Sequence, residues 1–369
     1  MKLEIIQKKY MKVLFDHQIF SLQKYGGISR YFANLHYGLN VKNESESKLG
    51  LLFTDNAYIN NGQLPAGIFN TLIKKDSRRY KYNKWYCKYL LKQDNFDIFH
   101  PTYYHPYFLK SLKKPFVITV YDMIHELYPD YFSTDVDARN KREVIERADH
   151  IIAISANTKN DIQKLYNIDG NKISVTHLGY QMQFSGRLSS ITSIEGRYLL
   201  FVGQRDIYKN FNLFVKAVAP VILKHKVKLI CGGGGSFKPD ELTLINKLNI
   251  ADSVQQVAVN DDQLKHLYQH AIAFIFPSLY EGFGIPVLEA FSNNCPLIVS
   301  NTSSLNEVAG NAAEFFDPTD QESITFAIER VVSNNYLQDE LRIKGKERLR
   351  SFSWEKCVNE TLQVYRSLA

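Results

Sequence analysis

The residues best suited to chemistry lie in one segment, PSLYEGFGIPVLEA, which runs from Pro277 to Ala290. The segment places two carboxylates, Glu281 and Glu289, eight positions apart, and ionised carboxylates are strong hydrogen-bond acceptors. Between them, Gly284 lets the backbone approach a ligand closely, and Pro286 suits the first turn of a helix. The spacing therefore predicts a strand, a tight loop and a helix whose first turn faces a ligand.

The backbone amides that open this predicted helix belong to Phe283, Gly284 and Ile285. A helix N-terminus combines unpaired N–H groups with the positive end of the helix dipole, so it binds anions. A diphosphate is the expected occupant. The alternative is an ordinary strand-loop-helix connection with two solvated carboxylates.

The pattern of Glu, seven residues and Glu within EGFGIPVLEA resembles that of the family 4 retaining glycosyltransferases. The resemblance covers nearly the whole chain from Met11 onward. It implies transfer of a sugar from a nucleotide diphosphate to an acceptor without a metal ion or other cofactor, the donor being UDP- or GDP-linked. It also implies that Glu281 contacts the transferred sugar as a catalytic residue and that Glu289 holds the ribose. Phe283, Gly284 and Ile285 would then contact the donor diphosphate.

Two cations follow the first apolar run of the second half of the chain, in FVGQRDIYKNF. They are Arg205 and Lys209, and Asn210 comes directly after them. A leaving nucleoside diphosphate carries several negative charges, so cations are needed to neutralise it when no metal is present. The resemblance implies that both cations bind the donor phosphates and that Asn210 supports the loop. Solvated surface cations are the alternative.

A glycine pair in KYGGISRYFANL gives a second loop near a predicted helix start. Gly26 and Gly27 permit close approach of the backbone to a phosphate, and Arg30 adds a charge on the helix. The resemblance places this pair near the donor diphosphate. A glycine pair in an ordinary turn would look the same.

The segment TVYDMIHELYPDYF departs from the family pattern. The family commonly has a histidine where this chain has Tyr121. We therefore expect His125, one turn later, and Asp122 to act in catalysis, with Tyr121 and His125 also contacting the acceptor. Alternatively, Tyr121 and Asp122 orient the acceptor instead. A structural role for His125 is the alternative.

Short apolar runs alternate with amphipathic helical stretches over all 369 residues, which predicts two doubly wound α/β domains. The resemblance adds that the two Rossmann-like domains face each other across a cleft in the GT-B arrangement. We place the acceptor-binding domain at 1–180, a linker at 181–196 and the nucleotide-sugar-binding domain at 197–353. The last helix, 354–369, is expected to pack back on the first domain. The predicted strands of the first domain are 12–15, 51–54, 97–100, 116–120, 150–154 and 173–177.

The segment from Lys74 to Lys92 contains eight basic residues and a single acidic one. Read as a helix, the segment carries a stripe of Tyr82, Trp85, Tyr86, Tyr89 and Leu90 flanked by lysines at helical spacing. Such a helix lies well on an anionic bilayer, and its expected membrane contacts are Lys81, Lys84, Trp85 and Lys88. A packed helix with a basic outer face is the alternative. Nucleic acid is not an expected partner, because no recognised nucleic-acid-binding fold accompanies the pattern.

The composition is that of a globular protein, with 45% hydrophobic and 22% charged residues. No apolar run approaches the roughly 20 residues of a membrane-spanning helix, and the charged N-terminus does not resemble a signal peptide. The four cysteines are widely spaced, and the net charge of +7 suggests an anionic partner. We expect a cytoplasmic protein, peripheral on the inner face of the plasma membrane where the basic helix binds it.

His266 and His270 have metal-ligand spacing but no third ligand nearby, so no metal site is predicted.

Three functions are compatible with these features. The favoured one is a retaining glycosyltransferase that acts on a glycan or lipid-linked acceptor in assembly of a bacterial surface polysaccharide. A phosphorylase or nucleotide-sugar epimerase would use the same two-domain plan without such an acceptor. A catalytically silent sugar-nucleotide or polysaccharide binding protein is the third, and Tyr121 is the residue that suggests it.

Overall fold

A computed structural model of the chain describes residues 10–59, 76–131, 135–181, 194–205 and 207–369. Most of the predicted linker lies outside these residues, as do Lys74 and Lys75. The chain divides into two compact units. Unit 1 comprises Met1–Ile154, Thr158–Gly179 and Ser353–Ala369, and unit 2 comprises Ser155–Asn157 and Tyr180–Phe352. Within the described residues, every helix is too short or too polar to cross a membrane.

Unit 1 is a parallel α/β structure. Its strands are β1 (Met11–Phe15), β2 (Ser45–Leu49), β3 (Ile98–His100), β4 (Val117–Val120), β5 (His150–Ala153) and β6 (Ile173–Val175). Its helices are α1 (Gln18–Leu22), α2 (Gly27–Asn40), α3 (Asp76–Gln93), α4 (Ile124–Leu127), α5 (Asp135–Arg147), α6 (Ala156–Tyr166) and, at the end of the chain, α14 (Trp354–Arg366). The strands form the orders β2-β1-β3 and β4-β5-β6, which a bridge between Phe99 and Phe116 connects.

The last helix is part of the unit 1 core. The Tyr365 hydroxyl lies 2.6 Å from His100 Nδ1 at the end of β3, and the Tyr31 ring on α2 lies 6.3 Å from the Trp354 ring. His100 is completely buried, and burial lowers its pKa to about 3. The first and last parts of the chain are therefore joined by buried side chains.

The predicted strand at 51–54 is wrong, because the edge strand is β2 at Ser45–Leu49. Buried and exposed residues alternate along β2, and its buried residues are Ser45 and Ser47. Because serine is polar, this strand has no apolar run in the sequence. The amides of Leu52 and Phe53 instead donate to the Asn83 side chain at 2.9 and 3.0 Å. The apolar residues at 51–54 therefore belong to a loop that is held by α3.

Unit 2 is a second parallel α/β structure. Its strands are β7 (Tyr198–Val202), β8 (Lys228–Gly232), β9 (Val254–Val257), β10 (Phe274–Phe276), β11 (Leu297–Ser300) and β12 (Glu314–Phe316). Its helices are α7 (Phe211–His225), α8 (Pro239–Lys247), α9 (Asp261–His270), α10 (Ile285–Ser292), α11 (Leu305–Ala309), α12 (Gln321–Ser333) and α13 (Asn335–Leu349).

The six strands of unit 2 have the order β12-β11-β10-β7-β8-β9. The chain winds from β7 to one edge and then from β10 to the other, so β7 and β10 flank the point where the strand order reverses. In open parallel sheets, ligands bind outside the carboxyl ends of the strands at this point. The loops that follow β7 and β10 are therefore where a unit 2 site belongs.

Candidate functional site

The loop between β10 and α10 is shaped by glycine. Gly284 precedes the helix with φ 93°, a left-handed conformation that side-chain-bearing residues rarely adopt. A Cβ built on Gly284 would also lie 2.8 Å from Leu305 Cδ2 on the neighbouring helix. Pro286 lies in the first turn of α10, as predicted. The backbone of this loop thus requires glycine where the sequence has it.

Lys209 and Glu281 meet at the reversal point of the sheet. Lys209 Nζ lies 2.6 Å from Glu281 Oε1, and both side chains are largely buried, with 17% and 14% of their surface exposed. The Lys209 ammonium also lies 5.0 Å from the Tyr208 ring centroid and 5.3 Å from that of Phe276. The structure therefore joins the loops after β7 and β10 through oppositely charged side chains.

The backbone of Glu281 is held by two serines of the loop after β11. The Glu281 amide donates to Ser303 Oγ at 3.0 Å, and Ser304 Oγ donates to the Glu281 carbonyl at 2.8 Å. Ser303 itself has φ 49°. Sequence reasoning missed both serines, because isolated serines in a loop do not indicate which backbone they contact.

Glu289 lies one turn into α10. Its Oε2 accepts a hydrogen bond from the Tyr268 hydroxyl of α9 at 3.1 Å. Tyr268 is fully buried, and burial, together with the nearby Glu289 carboxylate, raises the pKa of the phenol well above its usual range. The tyrosine therefore remains a hydrogen-bond donor that fixes one oxygen of Glu289.

Arg205 does not join Lys209 and Glu281. Its Nε donates to both oxygens of Glu241 at 3.0 and 3.1 Å, and the two side chains are 1% and 3% exposed. Its Nη2 donates to the carbonyls of Gly235 and Ser236, and its guanidinium packs against Phe237. The structure thus gives Arg205 a buried carboxylate partner, whereas the sequence suggested a cation presented to phosphate. Contact between Arg205 and a phosphate stays a prediction.

Asn210 supports the loop after β7. Its backbone is left-handed, with φ 58°, and its side-chain amide donates to the Pro318 carbonyl at 2.6 Å. Asparagine tolerates this conformation better than most residues do. Phe283 is buried and packs edge to face with Phe352 at 5.8 Å, so its ring is part of the packing of unit 2.

The glycine pair lies in unit 1, at the start of α2. A Cβ on Gly26 would collide with the Gln23 side chain, whose Oε1 accepts from the Ser29 amide at 3.3 Å. Arg30 donates to the Tyr58 hydroxyl at 3.2 Å and stacks over its ring. The close packing at Gly26 therefore has a local cause, and the predicted phosphate contact of Gly26 and Gly27 stays a prediction.

Tyr121, Asp122 and His125 follow β4 in unit 1. Tyr121 is 8% exposed, and its buried hydroxyl has no hydrogen-bond partner among the described residues. Asp122 Oδ1 accepts from the Ile124 amide at 3.1 Å and is 4.0 Å from Lys141 Nζ. His125 lies on α4 and is half-buried. The structure brings the three residues to one segment, and their catalytic and acceptor roles stay predictions.

Helix α3 presents aromatic rings to solvent. Its packed face contains Asn83, Cys87 and Leu90, whereas Trp85 is 65% exposed. Two further exposed aromatics and three exposed lysines share its outer surface: Tyr82, Tyr89, Lys81, Lys88 and Lys92. Leu90 of the predicted stripe is thus buried, and the bilayer contact stays a prediction beside the alternative of a packed helix with a basic outer face.

The rings of His266 and His270 lie 4.0 Å apart on α9. Within the described part of the chain, no group of three or more histidine, cysteine, aspartate or glutamate side chains is arranged to hold a metal ion.

Two family profiles match the chain in succession. The profile described as Glycosyltransferase Family 4 matches residues 25–184, and the one described as Glycosyl transferases group 1 matches residues 191–348. The chain belongs to the family 4 glycosyltransferases. The second match contains the Lys209 and Glu281 pair, the Gly284 turn and Glu289.

Two relatives of the chain are named as O-antigen chain mannosyltransferases. The chain is 28% identical over 287 residues to O-antigen chain mannosyltransferase B of Escherichia coli, a match that covers 73% of this chain and 74% of the relative. It is 32% identical over 217 residues to O-antigen chain mannosyltransferase RfbU of Salmonella typhimurium, covering 58% and 60% of the two chains.

Solved structures establish the fold of this glycosyltransferase. The sucrose-phosphate synthase of Thermosynechococcus elongatus matches with TM-score 0.70 and 16% identity over 97% of this chain and 98% of the other. WaaG, a glycosyltransferase involved in lipopolysaccharide biosynthesis, matches with TM-score 0.63 and 15% identity over 96% and 99%. The predicted GT-B class, with two Rossmann-like α/β domains, is confirmed.

Proposed function

We propose that this glycosyltransferase transfers a hexose from a nucleotide-diphosphate sugar to a glycan or lipid-linked acceptor in the assembly of a bacterial surface polysaccharide. The observation that carries the donor site is the Lys209 and Glu281 ion pair at the reversal point of the unit 2 sheet. The O-antigen mannosyltransferases among the relatives support the polysaccharide setting and make mannose the first sugar to test.

Lys209 is suited to bridge the donor and Glu281. An ammonium group has three donors, and one of them is directed at Glu281 Oε1. The others can donate to a diphosphate at the first turn of α10, where the helix dipole also favours negative charge. Glu281 would then remain fixed beside the transferred sugar and accept its hydroxyl groups.

The transfer is proposed to be metal-independent and retaining. Lys209 and the N-terminus of α10 supply the positive charge that a departing nucleoside diphosphate requires. In this mechanism the acceptor hydroxyl bonds to the anomeric carbon as the bond to the phosphate breaks, and the leaving phosphate takes the acceptor proton, so no separate base is needed. A loss of activity in EDTA that a divalent cation restores would contradict the metal-free part, and an inverted anomeric centre in the product would contradict the retaining part.

The function is tested by incubating the protein with radiolabelled GDP-mannose and UDP-hexoses, each alone and with a lipid-linked oligosaccharide acceptor. Transfer that needs the acceptor supports the proposal. Sugar phosphate or a converted donor in its absence indicates a phosphorylase or epimerase, and binding without turnover across these acceptors indicates a silent binding protein. Glu281→Ala is expected to abolish transfer. Glu340→Ala, which changes a half-buried carboxylate of α13, is the matched control.

The bilayer contact of α3 is part of the same proposal. Exposed Trp85, Tyr82 and Tyr89 beside exposed lysines match the chemistry of an anionic membrane interface. Sedimentation with vesicles that contain phosphatidylglycerol measures it. We expect Trp85→Ser to release the protein, whereas Phe326→Ser, which removes a comparably exposed ring from unit 2, should not.

A further inference from the structure

Three basic side chains cluster in unit 1 where β3 ends. Lys84 Nζ lies 5.4 Å from the centre of the Tyr107 ring, and the His105 ring lies 5.9 Å from the same ring. Lys88 is one helical turn beyond Lys84. Burial lowers the pKa of His105, and the charges of Lys84 and Lys88 lower it further. Lys84 is therefore turned toward the loop after β3, away from the position expected of a pure membrane contact.

The two lysines of the cluster form no ion pair within the described residues. Among the described residues, neither Lys84 nor Lys88 has a carboxylate at ion-pair distance. The nearby carboxylate, Asp16, is buried and already accepts hydrogen bonds from Gln18, Thr102 and Tyr107. Two ammonium groups beside a histidine repel one another, and a bound anion would relieve that repulsion.

The loop that carries His105 is fixed in place. The His105 amide donates to Gln18 Oε1 at 2.8 Å, and Gln18 Nε2 donates back to the His105 and Tyr103 carbonyls at 3.2 Å each. His105 Nδ1 accepts from the Tyr107 amide at 3.2 Å, so the neutral ring carries its proton on Nε2. His105 thus presents a donor from a rigid support.

A buried group lies beneath the cluster. The His17 ring packs 5.5 Å from Tyr107 and 4.7 Å from Tyr80 of α3. Its Nε2 is buried and has no hydrogen-bond partner within the described residues. Lys84, His105 and His17 therefore all pack against Tyr107 at the carboxyl edge of this sheet, which is the edge where parallel sheets bind ligands.

The exposed aromatic surface adjoins the cluster on the same helix. Trp85 and Tyr89 directly follow Lys84 and Lys88 in sequence, so the two pairs form parallel stripes about 100° apart around the axis. The Trp85 and Tyr89 rings are stacked, with centroids 6.4 Å apart. A phosphate at the lysines would therefore have apolar surface beside it.

We propose that Lys84, Lys88 and His105 bind the phosphate group of an amphiphilic acceptor, whose apolar chain lies along Trp85 and Tyr89. The identity of this molecule as an acceptor rests on the proposed function, but its binding does not. Lys84 and Lys88, expected from sequence to contact the bilayer in general, would instead select one class of molecule within it. The chemical class is a lipid phosphate or diphosphate.

The test follows the imidazole signal of His105 by NMR in histidine-labelled full-length protein, with the signal assigned by its loss in His105→Gln. Geranyl diphosphate, inorganic diphosphate and geraniol are titrated separately, without a sugar donor. We expect geranyl diphosphate to raise the pKa of His105 and to saturate at a concentration roughly tenfold below that of inorganic diphosphate, because its chain gains apolar contact. Geraniol should leave the pKa unchanged.

Two double variants distinguish a specific phosphate site from general attraction of the anion to a basic helix. Lys84→Gln with Lys88→Gln is expected to weaken geranyl diphosphate binding about tenfold or more. Lys81→Gln with Lys92→Gln removes the same charge from the same helix and should change it less than about twofold. Equal losses in the two double variants, or no response of His105 in the wild type, would refute the site. Equal saturation by both diphosphates would refute the lipid in favour of a free phosphate. A failure of the proposed transferase function leaves this binding result unchanged.

Discussion

The buried ion pair between Arg205 and Glu241 makes unit 2 sensitive to the loss of one carboxylate. Glu241→Ala removes both oxygens that contact Arg205 Nε and leaves a guanidinium that is 1% exposed without a counter-charge. It also removes the acceptor of the Lys238 amide at the start of α8. Stranding a buried charge of this kind costs about 3–5 kcal/mol of the free energy of unfolding.

Thermal unfolding followed by circular dichroism and calorimetry measures this cost. For a unit of this size, we expect the melting temperature to fall by about 6–20 °C. Glu340→Ala, which removes a half-buried partner of Lys344, should cost less than about 1 kcal/mol. Replacing both buried partners, as Arg205→Met with Glu241→Leu, should recover most of the loss because no unpaired charge remains. A loss below about 1 kcal/mol for Glu241→Ala, or a double variant no more stable than the single one, would refute the reasoning.

The double variant also tests the phosphate role suggested for Arg205. If it folds and binds nucleoside diphosphates as tightly as the wild type, Arg205 serves the structure alone. If it folds but loses that affinity, the guanidinium contacts the ligand after exchange of its protein partners.

Three further predictions concern the site loop and the unit 1 core. Gly284→Ala should destabilise unit 2 by about 1–3 kcal/mol in urea unfolding, because alanine disfavours φ 93° and its Cβ meets Leu305; an unchanged midpoint would contradict this. Glu289→Gln should weaken nucleoside diphosphate binding more than binding of inorganic diphosphate in calorimetry, because Glu289 is predicted to hold the ribose; equal effects would exclude that role. Burial lowers the pKa of His100 to about 3 and of His17 to about 4, so below pH about 6.5 the unfolded chain binds protons that the folded unit does not. Unit 1 should therefore lose up to about 1.4 kcal/mol per pH unit and per histidine as the pH falls from about 6.5 toward 4, and His100→Gln should flatten that slope.

The sequence predicted the strands, the loop and the helix start that position the unit 2 site. Alternating apolar runs located β7 and β10, and the glycine and proline between Glu281 and Glu289 indicated a tight loop before a helix. These signals are local, since a strand, a left-handed glycine and a helix start each depend on a few adjacent residues. The approach of Lys209 to Glu281 depends on two such loops following neighbouring strands.

The sequence did not predict which side chains from distant parts of the chain contact one another. Arg205 and Glu241 are 36 positions apart, and the charge of each residue alone suggests a solvated surface. The burial of Tyr121 and the inward turn of Lys84 likewise depend on elements that pack from elsewhere in the chain. The edge strand β2 was misplaced because its two buried residues are serines, so its pattern of burial is not a pattern of hydrophobicity.

Calorimetric titration of GDP and UDP tests the central claim most directly, with wild type, Lys209→Ala and the matched control Lys216→Ala, an exposed lysine on α7. Loss of a partly buried, charge-assisted phosphate contact should weaken the preferred nucleotide by about tenfold or more in Lys209→Ala and leave Lys216→Ala near the wild type. Equal affinity in all three proteins, or no binding of either nucleotide, would contradict a diphosphate site at the junction of β7 and β10.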